Sequence, residues 1–403
     1  DQIHMKGGKN LELVPNVTGT DSSGYPLYGV GHYADAPSRK VEINDEWAPR
    51  IGFTWDVFHN GKSKLYGFYG WYYERIPQDL AIRALTTEFF HFAYYMDPAL
   101  TQPYDLSYTY GLETTQIVGG PNGEKLKGSY NKETLLGLQY ELKPELTVGA
   151  RLIYRSIGRV IEDISYDGAT TYIVTNPDKW TDIWVPDVFG RPGYWWRFPK
   201  PVRIYKALEL TIDKRFSNNW QLGGSYVLSR LHGNYEGLFS NDNGQLDPNI
   251  TSKYDIPSLL VNGYGLLPND RTHVLKLYGS YSFPFGLDLS GNFQLQSGTP
   301  ISKLGADDAY GLNEGFCTKR GTAGRTPTTW TFDFGARYHF KLWKSDLGLR
   351  IDVLNLFNCQ KTTAVDQTYN TESTDDVQTY PYFKAETAHQ RARRVRLAVQ
   401  WTF

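Results

Sequence analysis

Long apolar runs are missing from this chain of 403 residues. No stretch of about 18 apolar residues, the length a helix needs to cross hydrocarbon, occurs in it, so a helical membrane protein is excluded. Charge of one sign is not in excess either: 42 lysines and arginines stand against 43 aspartates and glutamates. That leaves no basic stripe for phosphate backbones and no polybasic run for anionic lipid, and nucleic acid is not an expected partner. Cysteine is nearly absent. Cys317 and Cys359 are the only two, too few for a disulfide-built scaffold and without the second pair or histidine spacing of a zinc site. No charged leader followed by an apolar segment and a cleavage site opens the chain, so any export signal is expected to lie outside it.

Catalytic signatures are missing as well. HExxH, GxSxG and CxxC do not occur, which removes zinc-protease, α/β-hydrolase and thioredoxin-like readings. Gly61-Lys62-Ser63 lacks the upstream glycine of a phosphate-binding loop and reads as a hairpin turn. No catalytic residue, cofactor or metal site is expected.

What is abundant is aromatic: 30 Tyr, 20 Phe and 11 Trp in a chain of negative mean hydropathy. They fall into a repeated period-two pattern, which puts one set of side chains on each face of a strand. In 328–342, Trp330, Phe332, Phe334, Ala336, Tyr338, Phe340 and Leu342 alternate with Thr331, Asp333, Gly335, Arg337, His339 and Lys341. The same split recurs in 133–142, 146–155, 203–216, 219–230, 271–284, 287–296 and 391–403, and less cleanly in 46–58 and 64–75.

Alternation alone also fits a soluble sandwich, whose apolar face meets a second layer. The connections separate the two. Tight turns at 59–63, 143–145, 217–219, 284–286 and 341–345 alternate with long segments at roughly 76–132, 156–202, 232–270, 299–327 and 359–389. Strict succession of short and long puts all long loops at one end, as in outer-membrane barrels, whereas several long structureless loops argue against a compact soluble domain. Phe58, Phe216 with Trp220, Phe283 with Phe285, Phe340 with Trp343, and Trp401 with Phe403 flank the short turns, as an interfacial girdle requires.

The fold class is therefore all-β, a transmembrane antiparallel β-barrel. Counting back from a last strand that descends to the periplasm gives about eleven or twelve strands, the first of them also descending. Such a set does not close, and open edges in hydrocarbon leave backbone groups unsatisfied. The expectation is a C-terminal portion of a larger barrel: 1–45 an outer loop with 1–5 as a remnant of a preceding strand, and 46–403 barrel wall with long outer loops. In 352–358 the alternation slips at Leu354–Asn355, which predicts a bulge or a strand end.

Several segments are more specific: RIGF at 50–53, SYVLSRLHGNYEGL at 225–238, NDRTHVLK at 269–276, QSGTP at 296–300, RGTAGRTP at 320–327 and DVLNLFN at 352–358. In this order they resemble the C-terminal barrel of TonB-dependent outer-membrane receptors, the Oar-like branch in particular, from about residue 46 to Phe403. The resemblance implies a barrel of about twenty-two strands filled by an N-terminal plug, with transport energised by an inner-membrane TonB complex. Neither the plug nor the TonB-contacting segment is in this sequence. Trp401 and Phe403 match the terminal signal shown to the barrel-assembly machinery. Outer-membrane lipid, the plug with the remaining strands, TonB and that machinery are the partners implied. A passive porin, a surface adhesin barrel and a soluble carbohydrate-binding β-protein are the competing readings.

Four sets of residues remain to be weighed. Trp180, Trp184, Trp195 and Trp196 in loop 156–202 suit stacking on sugars or other flat ligands, or else pack the loop against itself. Asp242, Asn243, Asp247 and Asn249 could offer oxygens to calcium, but their spacing misses the helical calcium loop. Asp333, Arg337, Arg350 and Asp352 resemble acid–base pairs, yet a wetted barrel wall needs them for solvation and cross-strand pairing. Cys317 and Cys359 both fall in outer segments, where an oxidising setting allows either a bridge or two separate thiols.

Overall fold

A computed structural model describes residues 2–5, 9–11, 33–35, 39–75, 90–95, 103–110, 117–120, 123–165, 172–179, 183–185, 194–245, 252–307, 310–342, 345–377 and 380–402. Contacts divide the chain into two units, 1–46 with 74–129 and 161–197, and 47–73 with 130–160 and 198–403.

The second unit holds one antiparallel meander of eleven strands: β1 (Arg50–Trp55), β2 (Ser63–Tyr73), β3 (Tyr130–Lys143), β4 (Leu146–Arg159), β5 (Arg203–Ser217), β6 (Trp220–Gly233), β7 (His273–Ser282), β8 (Leu287–Gln296), β9 (Thr329–Leu342), β10 (Ser345–Leu354) and β11 (Arg394–Thr402). Each pairs with the next in chain order, and the short strand Gly265–Leu266 lies against the end of β6. Among the described residues β1 and β11 form the two edges, so the sheet does not close on itself.

Local chemistry explains the turns. At 217–220, Ser217 and Trp220 pair directly across a two-residue loop whose Asn218 and Asn219 both take positive φ, the conformation a primed hairpin turn demands and asparagine tolerates. Lys214 secures it by donating to the Ser217 carbonyl at 3.0 Å and the Trp220 carbonyl at 3.1 Å. Asn355, with φ of 52°, follows the end of β10 where the alternation slips, because the reversed faces cannot continue in the ladder. The short connections 56–62, 144–145, 218–219, 283–286 and 343–344 alternate with 74–129, 160–202, 234–272, 297–328 and 355–393, as expected.

Register carries the two faces across the whole meander. Leu136, Leu152, Leu208 and Leu228 form one row, and Leu277, Phe293 and Phe332 another. Among the described residues no second layer covers this face. Ile51 is 71% exposed, Leu397 73% and Trp401 66%, values at which burial contributes almost nothing in water. In a soluble sandwich a second layer covers the corresponding face. The most deeply buried apolar side chains of the unit lie instead among the long connections, Tyr254, Ile256, Leu259, Leu267, Ile301, Leu304 and Phe316 among them.

Among its described residues the first unit consists of short ladders: 2–5 with 39–42, 9–11 with 33–35, 90–95 with 103–110, 183–185 with 194–196, and 162–165 with 172–175, which also pairs 117–118. Ile43, Leu126, Ile164, Ile173 and Val174 make its small core.

Candidate functional site

The polar face carries cross-strand ion pairs. Arg155 on β4 bonds Glu133 directly opposite on β3, and Arg151 bonds Glu209 opposite on β5. At the other end of the sheet Asp352 on β10 lies between Arg350, at 2.9 Å, and Arg396 of β11, at 2.7 Å. Asp333 accepts the Asn355 backbone N–H at 2.8 Å, and Arg337 reaches Gln400 at 2.6 Å. Both acids that sequence alone could offer for catalysis are therefore engaged by a neighbour, as a wetted wall requires. Between β2 and β6 this face carries a cavity of about 570 Å³ lined by Tyr72, Glu133, Arg155, Arg203 and Tyr205.

At the loop end of the same unit, four of the motifs converge. Arg320 of RGTAGRTP is completely buried and ion-paired with Glu236, at 2.9 Å, and with Asp242. Burial opposes its charge, but Asp242 and Glu236 outweigh burial and raise its pKa. Burial pushes the Glu236 carboxyl above the usual range, against the pull of Arg320. Lys253 is buried beside them. It donates to the Glu314 carbonyl at 2.6 Å, and burial lowers its pKa against the pull of Glu314, Asp242 and Glu236.

A second knot lies next to the first. Asp270 of NDRTHVLK accepts the Leu231 N–H at 2.5 Å and pairs with Arg325. Arg325 also donates to the Gly298 carbonyl at 2.9 Å, and Arg271 donates to the Ser297 carbonyl at 2.6 Å, both in QSGTP. The Thr326 hydroxyl accepts the Thr299 N–H at 2.9 Å. The approach is so close that a Cβ on Gly298 would overlap the Thr326 carbonyl oxygen, so that any residue but glycine requires the backbone to shift. Beside this assembly opens a cavity of about 460 Å³, lined among others by Asp242, Asn243, Arg271, Thr299, Asp366 and Gln367.

Sequence reasoning does not reach this assembly. It weighs Asp242 only as an oxygen donor to calcium, and it singles out none of Glu236, Lys253, Arg320 and Glu314. Among the described residues no metal-binding cluster occurs, and Asp242 serves a guanidinium. An uninterrupted polar–apolar alternation marks strands, whereas buried ions in loops leave no local pattern.

The residues marked from sequence are distributed as follows. Cys317 and Cys359 carry free thiols, so the bridge weighed above is not formed. The Cys317 backbone N–H is tied to the Lys303 carbonyl, and burial pushes its thiol up to about 11; Cys359 belongs to a separate turn, its N–H bonded to Asn355. Trp184 stands opposite Trp195, and Trp196 opposite Ile183, in the short ladder 183–185 with 194–196. Trp180, Asp247, Asn249, Trp343 and Phe403 lie outside the described residues. Trp401 sits on the exposed apolar face opposite Leu347.

Residues 10–315 match the family described as outer membrane beta barrel domain. The TonB-dependent transporter Oar of Myxococcus xanthus is 34% identical over 360 residues, covering 81% of this chain and 33% of that protein. The chain thus spans about a third of the length of this curated relative. Similar solved structures include the Escherichia coli ferric-catecholate import receptor Fiu (10% identity, TM-score 0.49, 98% of this chain and 40% of that one). Another is the E. coli outer membrane transporter YddB (16% identity, TM-score 0.48, 91% of this chain and 41% of that one). With an uncovered apolar face, a wall of paired ions behind it and a family match over most of its length, this chain belongs to the outer membrane beta-barrel domain family and resides in the outer membrane.

Proposed function

We propose that this chain is the C-terminal wall of a TonB-dependent transporter that moves a substrate inward across the outer membrane, with the motive force supplied through TonB. The observation that carries the reading is the combination of an apolar face left open to hydrocarbon with a polar face that carries charges, several of them ion-paired. A passage needs such a polar, hydrated wall. The open edges at β1 and β11 are where the remaining strands would add, since unpaired strand groups in hydrocarbon cost several kcal/mol each. The plug would then rest against the ion-paired face, and Trp401 with Phe403 would present the terminal strand to the assembly machinery. The tryptophans at 184, 195 and 196 are proposed as ligand contacts of the outer loops.

No catalytic step is part of this reading. The test uses the full-length protein in planar bilayers. A plugged barrel is expected to stay electrically silent until urea unfolds the plug, and to crosslink to TonB in cells through its N-terminal periplasmic segment. Steady conductance from the first insertion, with no TonB crosslink, would instead make it a passive porin.

A further inference from the structure

The apolar face carries cations but no acids. Aspartate and glutamate occur at none of its positions along the eleven strands, yet Lys206 on β5 and Arg230 on β6 stand directly opposite each other on it. Like charges in that relation repel, and no carboxylate among the described residues pairs with either of them. Both lie near the loop end of their strands. Ten residues separate Lys206 from Phe216 at the short turn of β5; at about 3.3 Å per residue and a tilt near 40°, they span roughly the 25 Å of an apolar membrane band. Phe216 at one interface therefore puts Lys206 and Arg230 at the headgroup level of the other, the outer leaflet.

Directly below the two cations runs a groove of about 660 Å³ along the same face, walled by Leu136, Leu152, Leu208 and Leu228. Tyr154 stands in register with Lys206, its ring 5.9 Å from the ammonium. A paired cation head above a leucine trough matches one kind of molecule, an amphiphile with a phosphate at the head and hydrocarbon below. A free anion would answer the two charges but leave the trough unfilled. A neutral lipid would fill the trough and leave the repulsion.

We propose that this groove over β3–β6 is a binding site for a phosphate-bearing lipid of the outer leaflet, its phosphate held between Lys206 and Arg230 and its chains laid on the four leucines. The proposal rests on the membrane-facing side of the sheet and is independent of whether the protein couples to TonB. The pair is invisible in the sequence, where the two residues stand 24 positions apart with no basic run around either; register alone joins them.

The experiment is native mass spectrometry of the full-length protein in detergent, titrated with lipid A, with its dephosphorylated form and with inorganic phosphate. Saturable one-to-one binding of lipid A is expected, at least tenfold weaker for the dephosphorylated form and for K206Q/R230Q, with K206R/R230K retaining it and millimolar phosphate failing to displace it. Heat-modifiable gel mobility checks that each variant is folded, and K206Q and R230Q singly replace the double variant should it not assemble. Equal retention of both lipid forms, unchanged binding by the folded glutamine variants, or displacement by inorganic phosphate would each overturn the site.

Discussion

Two regions of the larger unit solve the problem of buried and exposed groups in opposite ways. Along the strands many apolar side chains are uncovered, and charges such as Arg151 with Glu209 and Arg155 with Glu133 are partly exposed and paired across the ladder. Among the long connections a cluster of apolar residues is covered, and a few charges are sealed in beside it, Arg320 and Lys253 most completely. The wall depends on its solvent being hydrocarbon on one side; the loop assembly brings its own core and would be stable facing water. One chain segment thus contains a part defined by the membrane and a part that closes on itself.

The sharpest way to break that comparison is Arg320→Met. It leaves Glu236 and Asp242 buried without their cation, a change that costs about 3–5 kcal/mol. The loop assembly is expected to open, with new protease cleavage within 234–245 and 300–327, while the β content by circular dichroism stays unchanged. Loss of the strands together with the loops would mean that the two regions are one cooperative unit. Restoration by the added changes E236Q and D242N would confirm that the uncompensated charges, and not the lost packing of the arginine stem, cause the opening.

Next in size is a charge on the apolar wall. Leu210→Arg, near the middle of β5, is expected to lower stability in lipid vesicles by about 2–4 kcal/mol. Thr211→Arg, on the polar face of the same strand opposite Gly149 and Ser225, should cost less than about 0.5 kcal/mol. Urea titrations followed by tryptophan fluorescence read both. Equal penalties for the two would mean that hydrocarbon does not receive the face assigned to it.

This contrast also explains what can be read from sequence. Period-two alternation is a local signal, so 330–342, the hairpin at 217–220 and the strand end at Leu354–Asn355 are legible one segment at a time. The loop assembly is not. Asp270 meets Arg325 across 55 residues, and Glu314 meets Ser252 across 62, distances at which no periodicity operates. The motifs SYVLSRLHGNYEGL, NDRTHVLK, QSGTP and RGTAGRTP are visible as a resemblance, but their convergence on one knot emerges only with the fold. The choice between a bridge and two separate thiols is not legible for a related reason: sharing the loop end does not tell whether Cys317 and Cys359 meet, and in the structure both thiols are free.

A smaller change tests the closeness of that convergence. Gly298→Ala adds one methyl against the Thr326 carbonyl, which must move the backbone between QSGTP and RGTAGRTP, at about 1–3 kcal/mol. Faster hydrogen exchange confined to 297–302 and 323–328 is the expected outcome. An unchanged exchange pattern would show the contact to be slack.

The smallest effect belongs to the short turn between β1 and β2, at the far end from the loops. There Asp56 accepts the Gly61 N–H at 2.7 Å and the Ser63 hydroxyl, while Ser63 accepts the Phe58 N–H at 3.0 Å. The Ser63 hydroxyl, then the Gly61 N–H, hold the Asp56 carboxyl below its ordinary value of 3.8. A group depressed in the folded state stabilises above its unfolded pKa and loses that contribution as pH falls through the folded one. Asp56→Asn mimics the protonated acid, so the gap in urea midpoint between the two proteins should be small but measurable at neutral pH and should close as the pH is taken down to about 2. A gap that persists in acid would mean that the substituted amide disturbs the turn sterically and that the carboxylate's charge is not what holds Gly61 and Ser63 in place.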